Sequence, residues 1–519
     1  MPEPRIDLRS RPAASVGVGG LARLFDSLET LMLITVVMGG FFTVVRTFIR
    51  IHSPFEMDYA EGTILNSAWR SAHGEALYQP LRTMPYEIDP YPPFIYKIVG
   101  SLLKDTGLGF FYPRLLVLAA AIVTCLLAAI LIHHWTKRWK LALIFGLLPL
   151  TVAAVQPWLG IIRYDLMGIA LTMAGLVIFV LFPRHRYWSL PFFVFAVAGL
   201  YTLVAAPAAC CLYLWIHREK AKSILFAACL ATCLIVSFLY GQHVTAGYMA
   251  YHLFNTQHSP YSVSQLASLV QLLLRGYSLL LLLSAVVVWK SIKESQISLI
   301  ALYWLLVAGT ALSLGKIGAA QNHVLQLVFA SCIAAAVGYD WMRWNSSSDW
   351  GLGLVLATLI AMTMANTPLR PGKPIEALSE CTRAYAAVSG ELGDRILSDN
   401  VGALVLARKP VYVSDPFVYK WLVRGAGFPD GDLRQMIASS EFTSIVLNHG
   451  VEGQETDDDR WPDDVRQVIR QNYQIKEEFT CNDANFVYEP KTTSVAGMQR
   501  ELRNSTSTAI RDGTDHRLP

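Results

Sequence analysis

The chain has 519 residues, of which 53% are hydrophobic and only 16% charged, with a formal net charge of +4. Average soluble proteins carry about 25% charged residues, and a soluble core of helices apolar on every face would leave almost no polar surface between its elements, so a fully water-exposed chain is excluded. The deficit is uneven: apolar runs fill 31–365, whereas the sequence from Pro368 onward has ordinary soluble composition.

In chain order, the segment 1–30 carries Arg5, Arg9, Arg11 and Arg23 without the compact apolar core and cleavage site of a secretory signal, so it is expected to stay uncleaved on the cytoplasmic side. A membrane span needs about 20 apolar residues. Candidates lie at 31–49, 113–132, 141–158, 162–182, 189–203, 204–216, 222–241, 266–289, 297–315, 321–339 and 350–366. If all of them cross, the short basic loops holding Lys137 and Arg138, Arg184 and Arg186, Arg218 and Lys220, and Lys290 and Lys293 all fall inside, as cytoplasmic loops do. The segments 51–112, 243–267 and everything after about 365 then lie outside. The stretch YPPFIYKIVGSLLKDTGL at 91–108 is read as a helix along the outer face. The predicted fold is a polytopic α-helical membrane bundle of about 11–13 spans over 31–367, with an outer loop at 51–112, a small exterior α/β domain over 368–490 and a disordered tail over 491–519.

Within the exterior domain, 375–392 has helical periodicity; RILSD, GALVLA, VYVSD, TSIVLN, YQIKEEF and NFVYEP read as short strands, and helices are expected near 432–439 and 462–471. The acidic stretch at 455–464 reads as a solvated loop. Cys125, Cys210, Cys211, Cys229, Cys233 and Cys332 sit in apolar helices as small hydrophobes. Cys381 and Cys481 flank the exterior domain, where an oxidising compartment permits a disulfide; the alternative is two unrelated thiols.

Chemistry is expected in the outer loops. The first contains FEMDYAEG at 55–62 and YEIDPYPP at 86–93, with Glu56, Asp58, Glu61 and Asp89 along it. Asp58 and Glu61 are three apart and share a face if a helical turn has begun; such a pair can bind an amine or hydroxyl, or raise the pKa of one member into the range of a base. The alternative is a pair of solvated acids capping the following helix. QPWLGIIRYD at 156–165 puts Arg163 and Asp165 at the head of an apolar segment, where they either pair or face a polar cavity. LGKIGAAQNH at 314–323 places Lys316 between glycines, so that backbone and ammonium can approach an anionic phosphate, unless the lysine simply snorkels. His243, His252, His258 and His323 lack a tight metal-ligand spacing.

The order of first span, acidic outer loop, YPP segment, basic residue opening the next span, RYD and a late GK–N element resembles the GT-C superfamily of polyprenyl-phosphate-sugar-dependent membrane glycosyltransferases, in its RgtA/B/C/D-like or protein-mannosyltransferase-like branch. The resemblance covers roughly 25–370. It implies an exterior site, a sugar donor on a long lipid phosphate, and a glycan, lipid or protein acceptor; membrane lipids surround it and no nucleic-acid partner is expected. Asp58 resembles the catalytic acid of the first loop and Glu61 its neighbour; Asp89 and Tyr91 belong to the YPP region, Arg163 and Asp165 to the R-x-D element, and Lys316 and Asn322 to the pair associated with donor phosphate. The DYAE spacing departs from the adjacent acids of many relatives and leaves the base open between Asp58 and Glu61. Tyr201, in LYTLVAAP, stands where relatives often carry lysine. The resemblance implies inverting transfer of a hexose or pentose in an inner or plasma membrane, with a divalent cation optional. A transporter using the same charges and a membrane-anchored binding or assembly protein are the other classes weighed.

Overall fold

The computed structural model describes residues 19–256, 259–345, 349–367, 393, 395–425, 428–453, 456, 459–481 and 483–491. Arg5, Arg9 and Arg11, the predicted helix at 375–392, Cys381 with its pairing to Cys481, and the tail from 492 lie outside the described residues.

The bundle is built from α1 (Gly19–Arg50), α2 (Tyr59–Ala72), α3 (Pro93–Thr106), α4 (Phe111–Thr136), α5 (Trp139–Leu147), α6 (Tyr164–Leu181), α7 (Leu190–Gly199), α8 (Ala205–Ile216), α9 (Lys220–Val244), the single turn α10 (Tyr248–Ala250), α11 (Val263–Lys293), α12 (Leu299–Thr310), α13 (Leu325–Asn345) and α14 (Asp349–Asn366). Among the described residues six helices are long and apolar enough to cross a bilayer: Leu24–Arg50, Phe111–Thr136, Tyr164–Leu181, Lys220–Val244, Val263–Lys293 and Gln321–Trp344. Shorter apolar helices at Trp139–Thr151, Tyr201–Ile216, Leu299–Gly315 and Gly351–Asn366 fill in between them. The chain is a multi-pass membrane bundle. Several of the shorter helices stop at prolines or run into tight 3₁₀ turns, such as Leu148–Thr151 and Tyr201–Val204, which free backbone at membrane depth where it can line a cavity. The stretch expected to lie along the membrane face is α3, started by Pro92 and Pro93. At 14 residues it is too short to cross, and it packs on α2 and α4.

At the end of the bundle that carries Arg138, Glu29 of α1 is fully buried and accepts from Arg138 Nη2 at 2.6 Å, from Tyr339 Oη at 3.0 Å and from Arg343. Arg138 also reaches Asp340 at 3.2 Å. One carboxylate thus ties α1, the loop before α5 and α13 together, since a charge at this depth is tolerable only when paired.

The soluble domain holds a four-stranded sheet in the order β1-β2-β4-β3, from β1 (Ile396–Ser398), β2 (Ser444–Leu447), β3 (Tyr473–Cys481) and β4 (Asp483–Pro490). β1 runs parallel to β2, and the other two contacts are antiparallel. Around it lie α15 (Val401–Leu406), α16 (Pro416–Arg424), α17 (Gly431–Ala438) and α18 (Asp463–Asn472). Two of the expected strands are corrected. GALVLA is helix α15, because Asn400 caps it by accepting from Ala403 N at 3.3 Å, and a short all-apolar run carries no period to separate helix from strand. VYVSD makes only one isolated bridge, Val413 to Tyr86, before Asp415 caps α16.

That bridge matters for placement. Tyr86 N donates to Tyr412 O at 2.8 Å, Ser414 N donates to Tyr86 O at 3.1 Å, and Tyr86 and Ile88 are buried in the same apolar cluster as Leu397, Ile445 and Tyr488. The segment 81–88 of the loop after α1 is therefore part of the core of the soluble domain. Gly62 makes the other contact: a Cβ there would fall 2.4 Å from Gly402 N, so only glycine lets α2 press against α15.

Candidate active site

The site lies where the loop before α2, the head of α6 and the loop before α13 meet. Asp58 ends the loop as the N-cap of α2, in extended conformation, its Oδ1 accepting from Ala60 N at 3.1 Å. The same oxygen accepts from Arg163 Nη2 at 2.9 Å and Nε at 3.2 Å. Arg163 precedes α6, and its guanidinium also lies 5.4 Å from the Trp158 ring and 5.9 Å from the Tyr59 ring, which confines it over an aromatic floor.

Asp58 and Glu61 do not converge, as a shared face would require. Glu61 points into the bundle, is fully buried, and accepts from Arg114 Nε at 2.9 Å and Nη2 at 2.7 Å, from Met57 N at 2.7 Å and from Ile162 N at 3.0 Å. Every face of this carboxylate is occupied. Through Ile162 it fixes the backbone that presents Arg163. Nor do Arg163 and Asp165 pair: Asp165 accepts from Asn322 Nδ2 at 3.1 Å, while Arg163 turns to Asp58.

Asp89 is enclosed as well, accepting from Ser67 Oγ at 2.5 Å and Tyr78 N at 2.9 Å, with its own N–H donated to His252 Nδ1 at 3.1 Å. It braces the loop that carries Tyr91. The carbonyl of Tyr91 accepts from Tyr78 Oη at 2.8 Å and its N–H donates to Tyr96 Oη at 3.2 Å, leaving its ring for the cavity.

That cavity, of about 140 Å³, is bordered by Tyr91, Arg163, Asp165, Tyr201, Asn322 and His323. Four separate sequence elements, YPP, RYD, LYT and the segment after GK, thus face one space. Lys316 does not border it. It lies half-buried on the strap leading to Asn322, where the Tyr261 ring packs against Gly315 and would have to shift to admit a Cβ. Burial lowers the pKa of the Lys316 ammonium. Among the described residues no group of three or more His, Cys, Asp or Glu side chains is placed to hold a metal ion.

For three groups the sequence does not disclose the role. Arg114 is the basic residue opening α4, and its role emerges only with Glu61. His323 was grouped with scattered histidines, yet it borders the cavity with Nδ1 3.2 Å from Ser313 Oγ. Asp415 comes from the soluble domain, so no local motif signals it. It is 1% exposed, caps α16 through Val418 N at 3.0 Å, and leaves Oδ2 without a hydrogen bond. Burial pushes its carboxyl up to about 6 despite Arg460 and Arg163 nearby. Burial also raises Glu56, which accepts from Gly402 N at 3.0 Å, to about 8.

Both acids have folded pKa values above the ordinary carboxylate range of about 4, so the docked state binds more protons than an undocked one. Their contribution is fullest below pH about 4 and is lost as pH rises through about 6 and then about 8. Amide exchange over 414–418, corrected for intrinsic rates, is expected to show less protection at about pH 9 than at about pH 5, and Asp415→Asn to remove part of that difference. Equal protection at both pH values would contradict this account of the seat.

No protein-family model and no curated protein matches the sequence. Solved structures do match. ArnT from Cupriavidus metallidurans bound to undecaprenyl phosphate superposes with a TM-score of 0.59 at 12% identity, covering 88% of this chain and 98% of that one. The same protein in the apo state gives 0.58 at 13% identity, covering 87% and 97%. The chain has the fold of these ArnT structures. The coverage exceeds what the bundle alone amounts to, so the soluble domain belongs to the shared architecture. At this identity the likeness is one of architecture.

Proposed function

We propose that this chain is a membrane glycosyltransferase that moves a hexose or pentose from a polyprenyl-phosphate donor to a hydroxyl of a cell-envelope glycan, glycolipid or protein, with inversion at the anomeric carbon. The observation that carries this reading is the single cavity shared by Tyr91, Arg163, Asp165, Tyr201, Asn322 and His323, with Asp58 bonded to Arg163 at its edge. One of the structures of like fold holds undecaprenyl phosphate, a ligand of the class the reading requires.

In the proposed reaction the acceptor hydroxyl gives its proton to Asp58 as its oxygen bonds to the anomeric carbon, and the bond from that carbon to the phosphate oxygen breaks. Charge gathers on the departing lipid phosphate. Arg163 meets it with a fixed cation, and Tyr201, Asn322 and His323 supply polar groups around it, so stabilisation grows toward the transition state. Asp165 orients Asn322, and Lys316 adds a more distant positive field along the strap. Direct displacement assisted by one carboxylate gives inversion, in contrast to the two-carboxylate retaining route. Purified protein given a panel of polyprenyl-phosphate sugars and envelope extract should bind one donor and transfer its sugar. Binding without transfer to any acceptor, or transport of the donor without bond cleavage, would overturn the reading.

The site and the soluble domain are placed on the exterior side, opposite the basic loops. In a cysteine-free background, Glu477→Cys on the exposed face of β3 should react with an impermeant thiol reagent in intact cells, and Lys222→Cys only after the membrane is opened. The reverse pattern would invert the topology.

A further inference from the structure

α11 is an apolar helix of 31 residues, yet Arg275 stands exposed in its midst and makes no hydrogen bond or ion pair with any described residue. A charge within an apolar span is costly and normally has a partner. Its depth can be placed. Trp289, Lys290 and Lys293 mark the bilayer boundary at one end, with Trp289 62% exposed. Arg275 lies about 22 Å from Lys290 along the helix, hence about 8 Å short of the opposite boundary of a roughly 30 Å apolar layer. A snorkelling arginine covers much of that distance, which brings its guanidinium to the headgroup phosphates of the leaflet on the side of the soluble domain.

Arg275 also borders a cavity of about 310 Å³ between α11 and the strap 321–324, walled by Leu269, Leu273, Leu314 and Tyr277. Gln321 borders it too, and its side-chain amide has no hydrogen bond among the described residues. The wall is tied to the loop after α5 where Tyr277 Oη accepts from Ala154 N at 2.6 Å. A smaller cavity sharing Gly276 and Tyr277 continues past Leu280 and Leu359 toward Met362, and the space over Gly276 is open. Two unsatisfied donors at headgroup depth above an apolar track form a complement to one phosphate with a hydrocarbon chain below it.

We propose that this groove is a specific site for an anionic membrane phospholipid, its phosphate held by Arg275 and Gln321 and an acyl chain laid along Tyr277. It is separate from the candidate active site, because Asn322, His323 and Gln326 of the adjoining segment face the other cavity while Gln321 and Val324 face this one. The lipid would seat the strap from behind.

The test uses the full chain reconstituted in nanodiscs of mixed phosphatidylcholine and phosphatidylglycerol, with the lipid retained after transfer to detergent counted by native mass spectrometry. The wild-type chain should keep one phosphatidylglycerol in preference to phosphatidylcholine. Arg275→Leu should weaken that preference roughly tenfold, the scale of one charge-assisted contact, and Arg275→Lys should keep part of it. Gly276→Leu, which fills the track and spares the arginine, should also reduce retention. Unchanged preference in Arg275→Leu, or no preference in the wild type, would reduce Arg275 to a snorkelling residue in bulk lipid and overturn the proposal. Displacement of the bound phosphatidylglycerol by undecaprenyl phosphate would overturn the phospholipid assignment in favour of the polyprenyl carrier.

Discussion

Asp58→Asn is expected to lower sugar transfer by about 10²–10⁴-fold, the scale of a lost general base, while leaving donor binding in place. Asparagine has nearly the same volume and is an equally good N-cap, so the contact to Ala60 N that starts α2 can persist. Its amide oxygen can still accept from Arg163, although a neutral acceptor holds a guanidinium less firmly. What asparagine cannot do is take a proton from a hydroxyl. Bound donor and transferred sugar should therefore be measured on the same preparation: a fall in both together would mean loss of structure, and near-normal transfer by folded Asp58→Asn would refute the assignment.

Glu61→Gln should fail in a different way. The carboxylate is fully buried, bonded twice to Arg114 and twice to backbone N–H groups, and the amide leaves the guanidinium without its counter-ion. Breaking a buried pair by neutralising one partner costs about 3–5 kcal/mol. The expected result is a large drop in thermal stability and yield in detergent, with donor binding lost in proportion to the folded fraction. Arg114→Met in the same chain should recover part of the stability, since removing both charges leaves neither one stranded. A stable Glu61→Gln protein that binds donor and transfers nothing would move the base to Glu61.

The membrane bundle, the short helix after YPP and the sheet strands TSIVLN, YQIKEEF and NFVYEP were legible because each has a length or period that burial enforces. GALVLA was not, since its fate depends on Asn400 as a cap and on docking against Gly62. At the candidate site, the YPP, RYD, LYT and late N elements singled out in the sequence border one cavity, while the partners of their side chains could not be read. Asp58 and Glu61 are three positions apart, but one is a cap outside the helix and the other lies inside it, so they turn to different arginines more than fifty residues away. Asp415 belongs to a fold unit far along the sequence, and its neighbours meet the loop through Ser414 with Tyr86 and Thr63 and through Phe417 with Tyr59. Long-range pairing of this kind leaves no periodic trace.

The bond between Asp58 and Arg163 has a consequence for the order of events. In the empty protein the base is neutralised by the cation proposed to meet the donor. The donor's phosphodiester carries one negative charge, like the carboxylate, but its two free oxygens offer the guanidinium a competing two-pronged partner, so bound donor loosens the hold of Arg163 on Asp58. Acceptor arriving first would find no free base. The kinetics that follow are sequential with donor leading: acceptor affinity should rise when a non-transferable donor analogue is bound, and release of the lipid phosphate should be the step that rearms the pair.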